Sequence, residues 1–265
     1  MGVKGLFQFL KRFEKEVTIP HFVAGKSVGI DIFWFIHQSK GDIFSLQNYL
    51  LPIIKNAREV HCVFDGIPPE EKQKELNNLK QSQQELIDTI QKIENFIKYP
   101  FNRLTSEDRK HINVYLQQLR RQVWYPSYNY VDKVKCWLES KRCYIYQAPE
   151  EADTILIKLE QKNIISTIFT NDSDLLVLGS SSVIRIQSPL RGALFDSIHI
   201  CKILGLTAVQ WNDFMYLCKH MEEKDILLAY SLISVYKDIE YVIEKYFIHY
   251  KKNLINYYEL ENTLE

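Results

Sequence analysis

Short apolar runs, each followed by acidic residues, divide this chain and predict a parallel β-sheet. The runs at 27–30, 59–64, 143–146 and 164–169 contain many β-branched or aromatic residues and are bounded by polar segments. Such runs are typical of buried parallel strands. The amphipathic segment 151–161 predicts a crossover helix between the last two. We therefore expect an α/β fold with a central, mostly parallel sheet.

A long polar stretch between the second and third runs predicts inserted helices. Residues 70–97 lack Gly and Pro and carry leucines and isoleucines at helical spacing. A second helix is expected to begin at Thr105 or Ser106, and a third to cover 128–140. We expect these helices to lie over the carboxyl edge of the sheet, where their basic and aromatic residues could contact a polyanion. A solvated helical hairpin without a ligand is the alternative.

The remaining pattern predicts helices around the sheet and one further strand pair. The expected helices are 6–13, 31–37 and 43–56, and the expected strands are 183–187 and 192–195. No Gly or Pro follows Gly205, so the rest of the chain is expected to be helical with little sharp turning.

Length and composition favour one domain. With 265 residues, 46% of them hydrophobic, the chain can bury a full core. The expected parts are an N-terminal part of the sheet domain (1–69), a helical insertion (70–140), an internal part of the sheet domain (141–205) and a helical C-terminal region (206–265).

The cysteine content indicates the cellular compartment, whereas the net charge does not indicate the class of ligand. The formal net charge is zero, which argues neither for nor against nucleic acid. The five cysteines are scattered and odd in number, which favours reduced core thiols over disulfides or zinc ligation. No signal-peptide pattern or apolar run of membrane-spanning length occurs. We expect an intracellular, reducing location and no membrane association.

Acidic residues at the predicted strand ends supply the candidate chemistry. They are Asp31, Asp65, Glu151, Asp153, Asp172 and Asp174. Any one of them could be an ordinary turn residue or helix cap. Gathered at one sheet edge, however, each close pair would repel by about 4 kcal/mol, so protons or cations would have to neutralise them.

An all-oxygen ligand set suits Mg²⁺ or Mn²⁺ rather than Zn²⁺. Two such ions about 3.5–4 Å apart form the usual clamp for hydrolysis of a phosphodiester. This pattern predicts a metal-dependent phosphoryl hydrolase, without separating a nuclease from a phosphatase.

The sequence resembles the flap endonuclease and 5′-exonuclease superfamily, especially the eukaryotic-type branch with the double-strand-resecting 5′-exonuclease. The resemblance covers about residues 1–217. It rests on Met1-Gly2-Val3-Lys4-Gly5-Leu6, the Asp31 strand, Val63-Phe64-Asp65-Gly66 with Pro68-Pro69 and Lys72, Ala148-Pro149-Glu150-Glu151-Ala152-Asp153, and Thr170-Asn171-Asp172-Ser173-Asp174-Leu175-Leu176.

The resemblance implies a PIN-like 5′-nuclease fold with two Mg²⁺ ions, for which Mn²⁺ can substitute. The matched positions of the first metal site are Asp31, Asp65, Glu151 and Asp153. Those of the second site are Asp172 and Asp174. All six are also expected to be catalytic.

Four features of the resemblance concern DNA. Gly2 matches a small residue near the active site, and Lys72 matches a catalytic basic residue that reaches the scissile phosphate. His37 matches the residue placed against the base at the junction, although a core histidine is the alternative. The inserted helices 70–140 match the arch under which the 5′ strand threads.

Two departures from the family pattern concern the arch and the C-terminal region. The position of a second arch basic residue falls on Leu79. The candidates to replace it are Lys80, Arg103, Arg109, Arg120 and Arg121. The family's Gly-rich helix-two-turn-helix is missing, and Lys224 occupies the position of its seventh acidic ligand. Asp225 is the candidate substitute, and a solvated acid at a helix end is the alternative.

The resemblance implies cleavage of DNA at 5′ flaps, nicks or 5′ ends, in the nucleus or at a cytoplasmic site of replication. The rivals are a junction-binding member with weakened catalysis and a 5′-exoribonuclease. The sequence carries no evident clamp-binding peptide and leaves the oligomeric state open.

Overall fold

The computed structural model describes residues 3, 5–67, 70–99, 104–220 and 225–246, without the side chains of 70–80, 82, 121 and 246. In this part of the chain, seven strands form one sheet. They are β1 (Lys15–Thr18), β2 (Ser27–Asp31), β3 (Glu59–Phe64), β4 (Tyr144–Gln147), β5 (Ile168–Phe169), β6 (Ser182–Ser188) and β7 (Arg191–Asp196).

The strand order is β1-β7-β6-β5-β2-β3-β4. The five strands from β6 to β4 are parallel to their neighbours, whereas β7 and β1 add an antiparallel edge. This arrangement confirms the expected α/β fold with a mostly parallel sheet. It also makes β5, β2, β3 and β4 direct neighbours. The acidic residues that follow these four parallel strands therefore lie at the same edge of the sheet.

Thirteen α-helices connect and flank these strands in the described residues. They are α1 (Leu6–Leu10), α2 (Ile19–Val23), α3 (Ile32–Ser39), α4 (Ile43–Ile54), α5 (Glu70–Lys98), α6 (Ser106–Gln122), α7 (Tyr128–Ser140), α8 (Ala152–Gln161), α9 (Asp174–Val177), α10 (Ser197–Leu204), α11 (Ala208–His220), α12 (Ile226–Tyr236) and α13 (Ile239–Tyr246). A short 3₁₀ turn, Lys11–Phe13, follows α1.

The alternation of side chains along the strands builds a hydrophobic core on each face of the sheet. In β3, Val63 packs into the core formed mainly with α8 and α11. Its neighbours Cys62 and Phe64 pack into the other core, formed mainly with α3 and α4. All three side chains are fully buried. Burial on both faces explains why these strands are continuous apolar runs.

Helices α5 and α6 form a hairpin with its own small core. Ile90 on α5 packs with Leu116 and Leu119 on α6. The N-terminus of α6 is closed by a capping box between Thr105 and Asp108, so the predicted cap at Thr105 is confirmed. The hairpin leaves the sheet after β3, and α7 returns the chain to β4.

Three details differ from the sequence expectations. The strand expected at 164–169 is reduced to β5, although Ser166 N still bonds to Ser27 O beside β2. The exposed strand β1 was not predicted. The expectation of little sharp turning after Gly205 was wrong, because α12 packs against both α11 and α13. Lys237, in the left-handed conformation with φ of 58°, makes one of these turns without glycine.

Candidate active site

The first candidate carboxylate is held where β2 becomes α3. Asp31 is the last residue of β2 and the N-cap of α3, where its Oδ1 accepts a hydrogen bond of 3.2 Å from Phe33 N. Its Oδ2 accepts another, of 3.0 Å, from the Thr170 hydroxyl. Asp31 is half-buried. Asp31 therefore caps α3 and also binds Thr170, which directly follows the neighbouring strand β5.

A close backbone contact beside Asp65 holds the loop after β3 against the loop after β4. Gly66 N donates to Glu150 O at 2.5 Å, which pairs the loop after β3 with the loop after β4. A Cβ at Gly66 would lie 2.2 Å from Ala148 O, so no other residue fits this contact without displacing the backbone. The Asp65 carboxylate then accepts a 2.7 Å bond from Ala152 N, the first residue of α8.

A third loop, between β5 and α9, is organised by a buried threonine that the sequence analysis did not select. Thr170 is fully buried. Its hydroxyl donates to Asp31 and accepts a 3.0 Å bond from Asp172 N. Asp172 Oδ1 in turn accepts a 3.0 Å bond from Asp174 N. Thr170 therefore joins the carboxylates of two different strand ends.

The same loop is tied to the beginning of the chain. The buried hydroxyl of Ser173 donates to Val3 O at 3.4 Å, and Asn171 Oδ1 accepts a bond from Ile186 N on β6. The N-terminal segment is thus anchored beside the acidic residues. Gly2, which the resemblance places near the active site, lies outside the described residues.

The electrostatic state of Asp31 shows that the carboxylates are neighbours. The pKa of Asp31 is raised to about 7, first by burial and then by the charges of Asp65 and Asp172, which together outweigh the hydrogen bonds from Thr170 and Phe33. A free carboxyl would be fully ionised at neutral pH. Asp31 therefore resists ionisation unless a positive charge approaches.

Asp153 is the centre of the acidic cluster. It lies in the first turn of α8 and is half-buried. Its pKa is raised to about 8, mainly by burial and then by the charges of Asp31, Asp172, Asp174 and Glu151. Together with the contact between Asp31 and Asp65, these interactions connect all six predicted acids in one cluster.

The composition of the cluster fits a hard divalent cation. Its members offer carboxylate oxygens only, which Mg²⁺ and Mn²⁺ prefer, and a cation would remove the repulsion that favours protonation. Among the described residues, no three His, Cys, Asp or Glu side chains already converge as a metal-ligand set. The acids thus form a group of electrostatic neighbours that an ion would have to draw together.

We expect Thr170→Val to weaken Mg²⁺ binding by about ten- to a hundredfold, as loss of a group that orients a metal ligand does. The variant removes the donor to Asp31 and leaves Asp172 N without its acceptor. The measurement is the Mg²⁺ concentration at half-maximal thermal stabilisation. Thr170→Ser should restore it. Thr167→Val, another buried threonine on the same strand path that bonds to Ser166 and Ser182, is the control. A wild-type midpoint for Thr170→Val would contradict this role.

His37 lies on the surface of α3, one and a half turns beyond Asp31. The alternative of a core histidine is wrong, because its side chain is exposed. Its ring centroid lies 6.2 Å from that of Trp124 and 6.0 Å from that of Tyr125. Desolvation lowers its pKa, and the charge of Lys40 lowers it further, so the imidazole is neutral at pH 7.

The predicted basic residues of the arch have different surroundings. Arg109 is exposed near the start of α6. Arg120 forms an ion pair with Glu94, which links α6 to α5, so it has a structural partner within the hairpin. The side chains of Lys72, Lys80 and Arg121 lie outside the described residues, as does the whole of Arg103.

Asp225 lies at a helix end, as the alternative to a metal ligand predicted. It is exposed at the N-cap of α12, where its Oδ1 accepts bonds of 3.0 and 3.1 Å from Leu227 N and Leu228 N. A carboxylate at this position satisfies helix donors and complements the helix dipole. The structure thus uses Asp225 as a helix cap. Lys224, at the position of the family's seventh acid, lies outside the described residues.

We expect Asp225→Asn to leave the Mg²⁺ midpoint unchanged, because asparagine caps a helix about as well as aspartate. Asp225→Ala should lower the free energy of unfolding by about 1 kcal/mol. Thermal unfolding across a Mg²⁺ titration measures both effects. A clear shift of the midpoint in Asp225→Asn would show instead that the carboxylate serves as a metal ligand.

Sequence comparisons find relatives that span most of the chain. The XPG I-region family matches residues 143–222, which contain four of the six acids. Flap endonuclease 1 of Entamoeba histolytica is 24% identical over 95% of this chain and 72% of its own length. Exodeoxyribonuclease 1 of Schizosaccharomyces pombe is 27% identical over 69% of this chain, which corresponds to 32% of that protein.

The solved structures agree on the fold. The catalytic core of Rad2 in complex with a DNA substrate is similar over 98% of this chain and 75% of its own, with a TM-score of 0.60 and 17% sequence identity. The XPG I-region match and the sequence relatives support a resemblance to the flap endonuclease and 5′-exonuclease superfamily, and the Rad2 core shares the fold of this chain.

Proposed function

We propose that this chain is a divalent-metal-dependent 5′ nuclease that hydrolyses DNA phosphodiesters at 5′ flaps or 5′ ends. The observation that carries the proposal is the cluster of six carboxylates at the ends of four neighbouring strands. Two of these carboxylates, Asp31 and Asp153, have pKa values raised to about 7 and about 8. Such a concentration of repelling acids is stable when protons or cations neutralise it, and perturbed acids of this kind mark functional sites.

The residues divide into two groups by the loops that carry them. Asp31, Asp65, Glu151 and Asp153 would hold one ion, and Asp172 with Asp174 would hold the second. When bound, two such ions supply an activated water and stabilise the leaving oxygen of the phosphodiester. Because Asp31 and Asp153 are protonated to a large extent at neutral pH without metal, both would release protons when the site is loaded.

Hydrogen bonds within the protein hold this arrangement before any ligand arrives. The Gly66 contact fixes the loop after β3 against the loop after β4, and Asp65 is bound to the N-terminus of α8. Thr170 links Asp31 to the loop of the second group. These bonds fix the loops that carry the acids, whereas the carboxylates themselves would still have to converge on an ion.

DNA is the substrate class that the relatives favour. Two of them are named as a flap endonuclease and an exodeoxyribonuclease, and the Rad2 core was solved with a DNA substrate. In this chain, the hairpin of α5 and α6 follows directly on the loop that carries Asp65. We propose that it forms the arch for the 5′ strand, with Lys72 in the first turn of α5 as the basic residue nearest the cleaved phosphate.

Two features favour a binding protein with weakened catalysis as the second candidate. Asp225 caps a helix, and no glycine is present after Gly205 for the family's Gly-rich turn. The duplex beyond the cleavage site should therefore be held mainly by salt-sensitive contacts from lysines and arginines.

A panel of end-labelled substrates tests the proposed function. It contains a 5′ flap, a nick, a blunt duplex and an RNA version of the flap, each with Mg²⁺ and with EDTA. We expect Mg²⁺-dependent cleavage of DNA that leaves a 5′-phosphate. Tight flap binding without cleavage would support the binding protein, and a preference for the RNA flap would support an exoribonuclease.

A further inference from the structure

The segment between α6 and α7 presents an exposed aromatic ring beside His37. Tyr125 is 66% exposed, and its ring is inclined at 72° to the imidazole, with 6.0 Å between centroids. Isolated exposed aromatics are ordinary features of protein surfaces. Two exposed rings in mutual contact, on different elements of the chain, form a more specific surface.

This surface is held rigidly by the residue before it. The Trp124 ring packs on Gly41, where an added Cβ would lie 3.0 Å from Trp124 Nε1. It also meets the Tyr130 ring edge-on, with 5.7 Å between centroids, and the Tyr130 hydroxyl is hydrogen bonded to the buried Ser39 on α3. The segment is therefore fixed to the C-terminal end of α3, so little freedom is lost when a ligand stacks there.

The position of the surface relates it to the acidic cluster. His37 follows Asp31 by six residues on the same helix, which corresponds to about 9 Å along the axis. Lys40, at the end of α3, lies close enough to the imidazole to influence its charge. Neutral aromatic rings with a cation beside them suit a ligand that combines a flat base with a phosphate.

We propose that Tyr125 extends the base contact that the resemblance assigns to His37, so that the two rings form a platform for an unpaired base of the cleaved strand next to the acidic cluster. This assignment rests on the proposed function and adds a residue that determines which nucleotide is held at the site. The α5–α6 hairpin leads directly into Trp124 and Tyr125. The platform would therefore link the end of this hairpin to the 5′ DNA strand that the hairpin is proposed to accommodate.

Binding measurements with Ca²⁺ in place of Mg²⁺ test the platform separately from cleavage. The probe is a DNA flap with 2-aminopurine, or an abasic residue, at each position flanking the scissile phosphodiester in turn. Wild-type protein should quench 2-aminopurine at one position and bind the abasic substrate there about five- to fiftyfold more weakly. Tyr125→Ala should weaken binding of the intact flap to a similar extent and remove most of the abasic effect.

Three further variants sharpen the result. Tyr125→Phe should behave as wild type, whereas Tyr125→Leu should resemble Tyr125→Ala, because apolar bulk without a π face does not stack. Tyr128→Ala, which alters a 91% exposed tyrosine three residues later, should change neither binding nor quenching. Thermal unfolding checks that each variant is folded.

The outcomes separate this inference from the proposed function. Wild-type affinity and quenching in Tyr125→Ala, or an equal loss in Tyr128→Ala, would overturn the platform while DNA cleavage by the wild type still stood. A wild-type protein that neither bound nor cut any of the DNA substrates would instead refute the proposed function.

Discussion

Asp153→Asn is expected to reduce Mg²⁺-dependent cleavage of a 5′ flap by about a thousandfold or more, while the fold remains intact. Asp153 is the carboxylate that contacts four other acids of the cluster electrostatically. Asparagine has nearly the same shape but lacks the charge needed to hold a divalent ion. Loss of several kcal/mol of transition-state stabilisation corresponds to a rate loss of this size.

Single-turnover cleavage rates and thermal unfolding should be measured on the same preparations. The matched control is Glu150→Gln, the same chemical change on an exposed residue just before α8, which should retain most of the activity. If Asp153→Asn cleaved at a rate close to wild type in saturating Mg²⁺, the cluster would not be the catalytic metal site.

The metal-free protein is expected to lose stability as the pH rises through 7 and 8. In the unfolded chain an aspartate has a pKa near 3.8, whereas the folded protein raises the pKa of Asp31 to about 7 and that of Asp153 to about 8. Between these limits the folded state holds protons that the unfolded state has released. These two groups therefore stabilise the fold fully below about pH 4, and their contribution is lost as the pH rises through the folded-state values.

Asp153→Asn should make this loss of stability smaller, because asparagine does not titrate. The melting temperature of the variant should exceed that of the wild type by a few degrees at pH 8 without metal, since about 1 kcal/mol corresponds to 2–4 °C in a chain of this size. Mg²⁺ should stabilise the wild type more at pH 8 than at pH 5. Asp132→Asn, on the exposed face of α7, is the control, and parallel pH profiles for all three proteins would contradict the prediction.

The sequence predicted the sheet and its acidic edge because both depend on local patterns. The apolar run at 59–64 became β3 with the same bounds, and Asp65 follows it as expected. The helix expected at 128–140 is α7. Burial of one helix face, or of a whole strand, leaves a regular pattern of apolar residues in the sequence. Such segments can therefore be recognised without tertiary information.

The contacts that organise the site could not be predicted, because they join distant parts of the chain. Asp65 binds the N-terminus of α8 across 87 positions, and Thr170 binds Asp31 across 139. The strand β1 was missed because its side chains are mostly exposed and its pairing partner β7 lies near residue 191. Asp225 was considered as a metal ligand from its position alone, whereas its cap geometry is visible only in the structure.

The proposed two-metal site is tested most directly by counting the divalent ions in the wild-type protein bound to an uncleavable 5′-flap analogue. Electron paramagnetic resonance of Mn²⁺ measures both the number of bound ions and their magnetic coupling. We expect two coupled Mn²⁺ ions per chain, and fewer than two in Asp153→Asn. A wild-type complex that binds the flap but holds no Mn²⁺ at the six carboxylates would contradict the proposal.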